Sequence, residues 1–235
     1  ARALPDGFIG SVKNKPVLLS NGNLICPTST EGNPGNNSWL IHFEMTPDFG
    51  KTWRKVGPLS AAKDVNAIQP SVLDHGNGKL QLLARSRNRA IMESWSYDNG
   101  ETWWPLAKTS LPNNNSGTDA VTLKNGKHAL IYNHVLPPGN EAKGPRTPLN
   151  LSISKNGKTW YAAAILEDSP ISQYSYPSII QTSDGLIHVV YTWRRLKIKH
   201  AVIDPTKLKL KKIKKGVWPK MKGYTAPAAG EITQD

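Results

Sequence analysis

With 235 residues, 30 lysines and arginines against 17 aspartates and glutamates, and a formal charge of +13, the chain can bury one large core or two smaller ones. It contains no run of about 18 apolar residues, which excludes a membrane-spanning helix, and its single Cys26 excludes an intrachain disulfide. The opening Ala1-Arg2-Ala3-Leu4-Pro5-Asp6-Gly7 has no charged-then-apolar leader, so a signal peptide is expected to be absent or already removed.

Pairs of β-rich runs joined by tight turns recur along the chain. Pro16-Val17-Leu18-Leu19 leads through Asn21-Gly22 to Leu24-Ile25, and Pro70-Ser71-Val72-Leu73 leads through Gly76-Asn77-Gly78 to Leu80-Gln81-Leu82-Leu83. Asp119-Ala120-Val121-Thr122-Leu123 leads through Asn125-Gly126 to His128-Ala129-Leu130-Ile131-Tyr132. Pro177-Ser178-Ile179-Ile180 leads through Asp184-Gly185 to Leu186-Ile187-His188-Val189-Val190-Tyr191. Asn-Gly, Asp-Gly or Gly-x-Gly between two apolar runs predicts a hairpin. The turn glycines Gly22, Gly78, Gly126 and Gly185 are 56, 48 and 59 residues apart. A third strand is predicted after the hairpin, as at Trp39-Leu40-Ile41-His42-Phe43-Glu44 and Ala90-Ile91-Met92-Glu93-Ser94-Trp95.

A second motif then closes each unit. Thr46-Pro47-Asp48-Phe49-Gly50-Lys51-Thr52-Trp53 and Ser96-Tyr97-Asp98-Asn99-Gly100-Glu101-Thr102-Trp103 share Ser/Thr-x-Asp-x-Gly-x-Thr-Trp, and Ser154-Lys155-Asn156-Gly157-Lys158-Thr159-Trp160 is a shortened copy. Their tryptophans are 50 and then 57 residues apart. Four antiparallel strands repeated at about 50 residues describe propeller blades, whereas solenoid repeats are usually shorter. The units expected are 1–62, 63–112, 113–168 and 169–215, with a tail at 216–235. The boxes themselves read as folding motifs: the aspartate accepts N–H groups inside its own turn, the glycine permits the bend, and the tryptophan packs between strands.

Towards the end, Lys207, Lys209, Lys211, Lys212, Lys214, Lys215, Lys220 and Lys222 interleave with Leu208, Leu210 and Ile213. This is the pattern of an edge strand blunted by lysine, favoured here over a specific nucleic-acid site; attraction to acidic glycans is compatible with either. Sequons at Asn36, Asn114 and Asn150 are glycosylation candidates if the chain enters a secretory or vacuolar compartment, and three in an Asn- and Ser-rich chain also arise by chance.

In a propeller the first strand of each blade lines the central channel, and ligands bind at its mouth. The blade entries are Lys13-Asn14-Lys15, Asn66-Ala67-Ile68-Gln69, Ser116-Gly117-Thr118-Asp119 and Gln173-Tyr174-Ser175-Tyr176. Amide, carboxylate, cationic and phenolic groups gathered there suit a polyhydroxylated, acidic ligand, although each alone also reads as an ordinary polar lining residue. No metal-ligand spacing, phosphate loop or Ser/His/Asp arrangement stands out, so neither metal nor cofactor is expected.

The boxes, together with Pro70-Ser71-Val72 running on to Leu82-Leu83-Ala84-Arg85 and with Tyr176-Pro177-Ser178-Ile179-Ile180-Gln181-Thr182, resemble the sialidase (neuraminidase) superfamily, most closely its bacterial-neuraminidase-repeat branch. The resemblance extends to about Pro205 and implies an all-β, six-bladed propeller with about four blades in this chain. It implies an exo-glycosidase acting on a terminal acidic sugar, with arginines clamping the substrate carboxylate. It also implies a tyrosine nucleophile paired with a glutamate, and an aspartate as acid/base. Arg85 and Arg146 fall at clamp positions, Tyr176 at the nucleophile with Tyr174 as an alternative register, and Asn14 and Lys15 beside the substrate. The glutamate position reads Gln69, which cannot take a proton from a phenol. Asp119 is the remaining acid/base candidate, with Glu44 and His134 behind it, although a carboxylate that only hydrogen-bonds its own loop is the favoured reading of Asp119. The family's first blades are not matched, so a second chain or a further segment is expected to complete the ring. The alternative is a carbohydrate-binding propeller without catalysis, with Trp104 and Trp193 available to stack on sugar rings.

Overall fold

The computed structural model describes residues 3–32, 38–62, 64–171 and 173–221. Among the described residues sixteen strands form four antiparallel sheets, and the helical content is a single 3-10 turn, Pro205–Lys207. The first sheet has the order β1 (Val17–Leu18), β2 (Leu24–Glu31), β3 (Trp39–Thr46), β4 (Arg54–Val56). The second has β5 (Ala67–Asp74), β6 (Leu80–Ser86), β7 (Ala90–Ser96), β8 (Ala107–Pro112). The third contains β9 (Asp119–Thr122), β10 (His128–Tyr132), β11 (Leu149–Ser154) and β12 (Trp160–Glu167). The fourth is β13 (Tyr174–Gln181), β14 (Ile187–Trp193), β15 (Lys197–Ile203). These are four blades of a β-propeller, with β1, β5, β9 and β13 each at one edge of its sheet.

The period-2 alternation of the middle strands glues the blades together. In β6, Leu80, Leu82 and Ala84 join a cluster with Ile25, Ile41, Phe43 and Met45 of the first sheet. Leu83, between them in sequence, joins the opposite cluster with Leu130, Tyr132 and Trp160 of the third. In β10 the alternation repeats: Leu130 and Tyr132 face the second sheet, while Ala129 and Ile131 pack with Ile179, Val189 and Tyr191 of the fourth. Strands β6 and β10 are therefore buried on both faces. Truncating such a residue, Leu82→Ala for instance, costs about 2–5 kcal/mol in transfer and cavity terms.

The boxes fold as their sequence implies. Asp48 Oδ1 accepts the Lys51 and Thr52 N–H groups at 2.9 and 2.8 Å, and Thr52 Oγ1 donates to Oδ2 at 2.8 Å. The Thr52 amide is the leading cause that holds the Asp48 carboxyl down at about 2. The indole N–H groups of Trp53, Trp103 and Trp160 donate to the carbonyls of Gly50, Gly100 and Gly157. Trp103 also stacks on Phe43 of the preceding blade, with ring centres 4.4 Å apart, so a box fastens its own blade to the neighbour.

The lysine-rich tail supplies an exposed edge strand, but a short one and on another sheet than its unit predicts. Lys207 belongs to the 3-10 turn, and among the described tail lysines only Lys211–Lys212 form a strand, β16; Lys222 lies outside the described residues. That strand pairs with β12, extending the third sheet rather than the fourth. Its residues are exposed, while Ile213 is buried in the core between second and third blades.

The outer face of the fourth sheet exposes Ile180, Val190, Ile198 and Val202. Ile180 is paired with His188 and Val202 with His188 across the sheet, so these side chains share one face. The opposite face carries the buried Ile179, Ile187 and Val189.

Candidate ligand site at the channel mouth

The first strands are irregular at one repeated place. β5 shifts register between Ile68 and Ser71, and β13 between Ser175 and Ser178. At these bulges Gln69 has φ +56° and Tyr176 φ +49°, and Lys13, before β1, has φ +68°. A left-handed L-residue costs roughly 1–2 kcal/mol, and residues preceding proline normally stay extended. Both Gln69 and Tyr176 precede proline. Such strain persists where surrounding structure over-determines it, often at functional sites.

Lys13, Gln69, Gly117 and Tyr176 are 56, 48 and 59 residues apart, the same intervals as the hairpin glycines. They are one register position in four blades, and they converge. A methyl group on Gly117 would lie 3.1 Å from Tyr176 Cδ1, 3.3 Å from Gln69 Oε1 and 3.3 Å from Lys13 Cε.

Two arginines attend this cluster. Arg85, at the end of β6 and only 7 % exposed, donates from Nε to Asn115 Oδ1 at 3.0 Å and from a terminal nitrogen to Gln69 Oε1 at 3.3 Å. Its guanidinium also lies over the Trp39 ring at 5.2 Å. Arg146, from the segment leading into β11, places its guanidinium 5.1 Å from the Tyr176 ring centre. Burial works to raise the Tyr176 phenol, but Arg85 and then Arg146 outweigh it through charge and hydrogen bonding, leaving the phenol below its ordinary 10. Arg85 is lowered by its own burial, partly offset by Tyr176. Arg85, Arg146, Tyr176 and Gln69 are thus brought together from three blades.

Asp119 does something else. It is 2 % exposed. Its Oδ1 accepts from Asn14 Nδ2 at 2.9 Å and Ser71 Oγ at 3.0 Å. Its Oδ2 accepts from Lys15 Nζ at 2.8 Å and the Ile179 amide at 2.9 Å. The donors come from the first, second and fourth blades and the carboxylate from the third. The expectation of a free acid/base is corrected: both oxygens are committed to holding four blades at the axis. Asn14 and Lys15 are correspondingly spent on Asp119 and on the Thr118 and Ala120 carbonyls, not held out to a ligand.

Other expectations are also revised. Tyr174 is buried in the core between third and fourth blades, its ring 6.4 Å from Trp193, so the register alternative to Tyr176 falls away. Glu44 is buried and accepts the Ile9 and Gly10 N–H groups. His134 bonds Tyr132 and the Gly216 carbonyl, and burial lowers it to about 4. Trp104 is exposed beside Tyr97, at the box end of β7, opposite the end that meets Arg85. Trp193 is covered by Arg194 and Lys197. Asn114 and Asn150 are 1 % and 0 % exposed; Asn114 donates to the Pro145 carbonyl and Asn150 accepts the His134 amide. Neither can carry a glycan in this fold, and Asn36 lies outside the described residues.

The sequence places Lys13 among the polar blade-entry residues but gives it no role of its own. Its Nζ donates to the Thr118 carbonyl at 2.5 Å and the Pro177 carbonyl at 2.8 Å, tying the first blade to the third and fourth. Burial lowers its ammonium to about 8, against the opposing pull of Asp119. Carrying the glycine intervals back to the blade entries is the signal that finds it.

Residues 1–189 match the model of the BNR repeat-like domain. The chain belongs to that family. Its fold is similar to the NanB sialidase of Streptococcus pneumoniae (a K499G mutant), at 21 % identity and TM-score 0.62 over 83 % of this chain and 31 % of that one. It is similar as well to the intramolecular trans-sialidase of Ruminococcus gnavus, at 18 % identity and TM-score 0.62 over 83 % and 44 %. A Dyadobacter fermentans protein of unknown function matches at 17 % identity and TM-score 0.59 over 76 % and 48 %. The BNR chain therefore spans less than half the length of each of these structures. No curated protein matches it.

Proposed function

We propose that this BNR-family chain carries the carboxylate-binding and nucleophile side of a sialidase-like glycosidase site for a terminal acidic sugar. The convergence of Arg85 and Arg146 on Tyr176 carries this reading. A sugar carboxylate is met by guanidinium groups through charge-assisted, bidentate bonds. The same cations favour the phenolate form of Tyr176, and a phenolate is a competent nucleophile towards an anomeric carbon beside a carboxylate. Gln69 can accept a hydrogen bond but not a proton. Activation of Tyr176 accordingly rests on the arginines rather than on a carboxylate base, and slow turnover follows.

The test is release of product from a fluorogenic sialoside by the protein and by Tyr176→Phe. Slow release abolished by the substitution supports the reading; release that survives it removes Tyr176 from the chemistry. A second reading, a sugar-binding propeller without catalysis, is favoured by two observations: the amide at Gln69 and the full commitment of Asp119. Glycan-array binding without any product decides for it.

The exposed apolar face of the fourth sheet supports a further sheet, from another segment or a second chain, packing there as the blades already pack on one another. Among the described residues no helix is long and apolar enough to cross a membrane. A terminal acidic sugar as ligand implies an extracellular or secretory setting.

A further inference from the structure

We propose that Lys13 is the positioning residue that holds Tyr176 in its left-handed corner beneath Arg85 and Arg146, with Gly117 leaving the space in which they meet. The inference deepens the reading of this site as one for an acidic sugar, and rests on it for its functional meaning.

The argument starts from the strain. Tyr176 has φ +49°, is followed by proline and is bulky, so its own backbone preference is extended. Something must hold it. The Pro177 carbonyl, on the peptide just beyond the Tyr176–Pro177 bond, accepts from Lys13 Nζ at 2.8 Å. The same ammonium donates to the Thr118 carbonyl at 2.5 Å, so the Tyr176–Pro177 corner is referenced to the third blade through one side chain. Lys13 and Gln69 are left-handed too, so the corner is a shared device of the blade entries rather than an isolated distortion.

Gly117 completes it. Of the four register positions it alone has no side chain, and the other three side chains close over it at 3.1 to 3.3 Å from where a Cβ would stand. At those separations a methyl group forces its neighbours to shift, and Tyr176 Cδ1 is the nearest. Lys13 therefore fixes the backbone below the ring and Gly117 fixes how closely the ring approaches the axis. The phenol that results lies where Arg85 and Arg146 both act on it. Among the described residues no carboxylate pairs directly with the Lys13 ammonium: Asp119, the nearby acid, pairs with Lys15 instead.

The experiment is an ultraviolet titration of the phenols in the full chain, with Tyr176→Phe subtracted to isolate Tyr176. It is repeated in Lys13→Met, Lys13→Arg and Gly117→Ala, each paired with its own Tyr176→Phe version. The expected result is a Tyr176 midpoint raised by at least about half a pH unit in Lys13→Met and in Gly117→Ala, with Lys13→Arg nearer the wild type. Gly117→Ala keeps every charge in place, so a rise there reports displacement of the ring and not loss of a cation. A Tyr176 midpoint unmoved in Gly117→Ala overturns the proposal, as does an unmoved midpoint in a Lys13→Met protein of native circular dichroism. If Lys13→Met does not fold, Gly117→Ala decides alone. The titration needs no sugar, so a site that positions Tyr176 but binds no acidic sugar fails the functional reading and leaves this one standing.

Discussion

The Arg146 guanidinium stands 5.1 Å from the centre of the Tyr176 ring, although the two residues come from different blades and Tyr176 reaches it only by adopting a left-handed backbone. Cation and ring at this distance attract, and the cation also favours the ionised phenol. Replacing Arg146 or Arg85 by Gln should therefore raise the Tyr176 phenol towards its ordinary 10. Ultraviolet titration against Tyr176→Phe checks this. A phenol that titrates identically without either arginine would separate the three residues.

Asp119→Ala should unfold the protein more easily by about 3–5 kcal/mol, the usual result of stripping one partner from a buried ion pair. The Lys15 ammonium and the Asn14, Ser71 and Ile179 donors lose their acceptor together. Urea denaturation measures the loss. Stability near that of the wild type would return Asp119 to the list of acid/base candidates.

Acid should weaken the seam between the second and third blades. Thr122 Oγ1, His128 and His75 form a hydrogen-bonded chain, with His128 Nε2 3.0 Å from His75 Nδ1 and His75 Nε2 3.3 Å from Gln81 Oε1. Burial lowers both imidazoles, His128 from 6.5 to about 4. Lys79 and Asp74 also act on His75, in opposite senses. Because the folded values are depressed, the unfolded chain takes up protons first as pH drops below 6.5. The stabilisation is complete above that value and is lost progressively down to about pH 4, with roughly 2–3 kcal/mol at stake for His128. Urea midpoints between pH 7 and 4 test it, and His128→Gln should flatten the dependence.

Expression in a glycosylating host should leave Asn114 and Asn150 unmodified, since both amides are buried and bonded within the fold. Mass spectrometry of the tryptic peptides reads this directly. A glycan at either position would mean that the segment before β11 does not pack as described.

What could be read from sequence divides by range. An Asp box is legible because its donors and acceptors lie within the motif: Asp98 takes the Thr102 amide four residues on. The hairpins are legible for the same reason, and the blade period follows from them. Asp119 was misleading because its donors stand 48, 60, 104 and 105 residues away, and nothing in Gly117-Thr118-Asp119 announces them. Tyr174 and Tyr176 were indistinguishable by alternation, since both fall on the same parity of a strand. The bulge between Ser175 and Ser178 breaks that parity, buries Tyr174 and turns Tyr176 to the channel. The tail lysines carried an edge-strand pattern, but which sheet they extend depended on the position of β12.

The most direct measurement is calorimetric titration of the protein with the methyl glycoside of N-acetylneuraminic acid and with its carboxyl methyl ester, repeated with Arg85→Gln. The account predicts that the acid binds in preference to the ester. It also predicts that Arg85→Gln weakens the acid by roughly 10-fold or more, the scale of a lost charge-assisted hydrogen bond. Equal binding of acid and ester, binding indifferent to Arg85, or no binding of either sugar would contradict it.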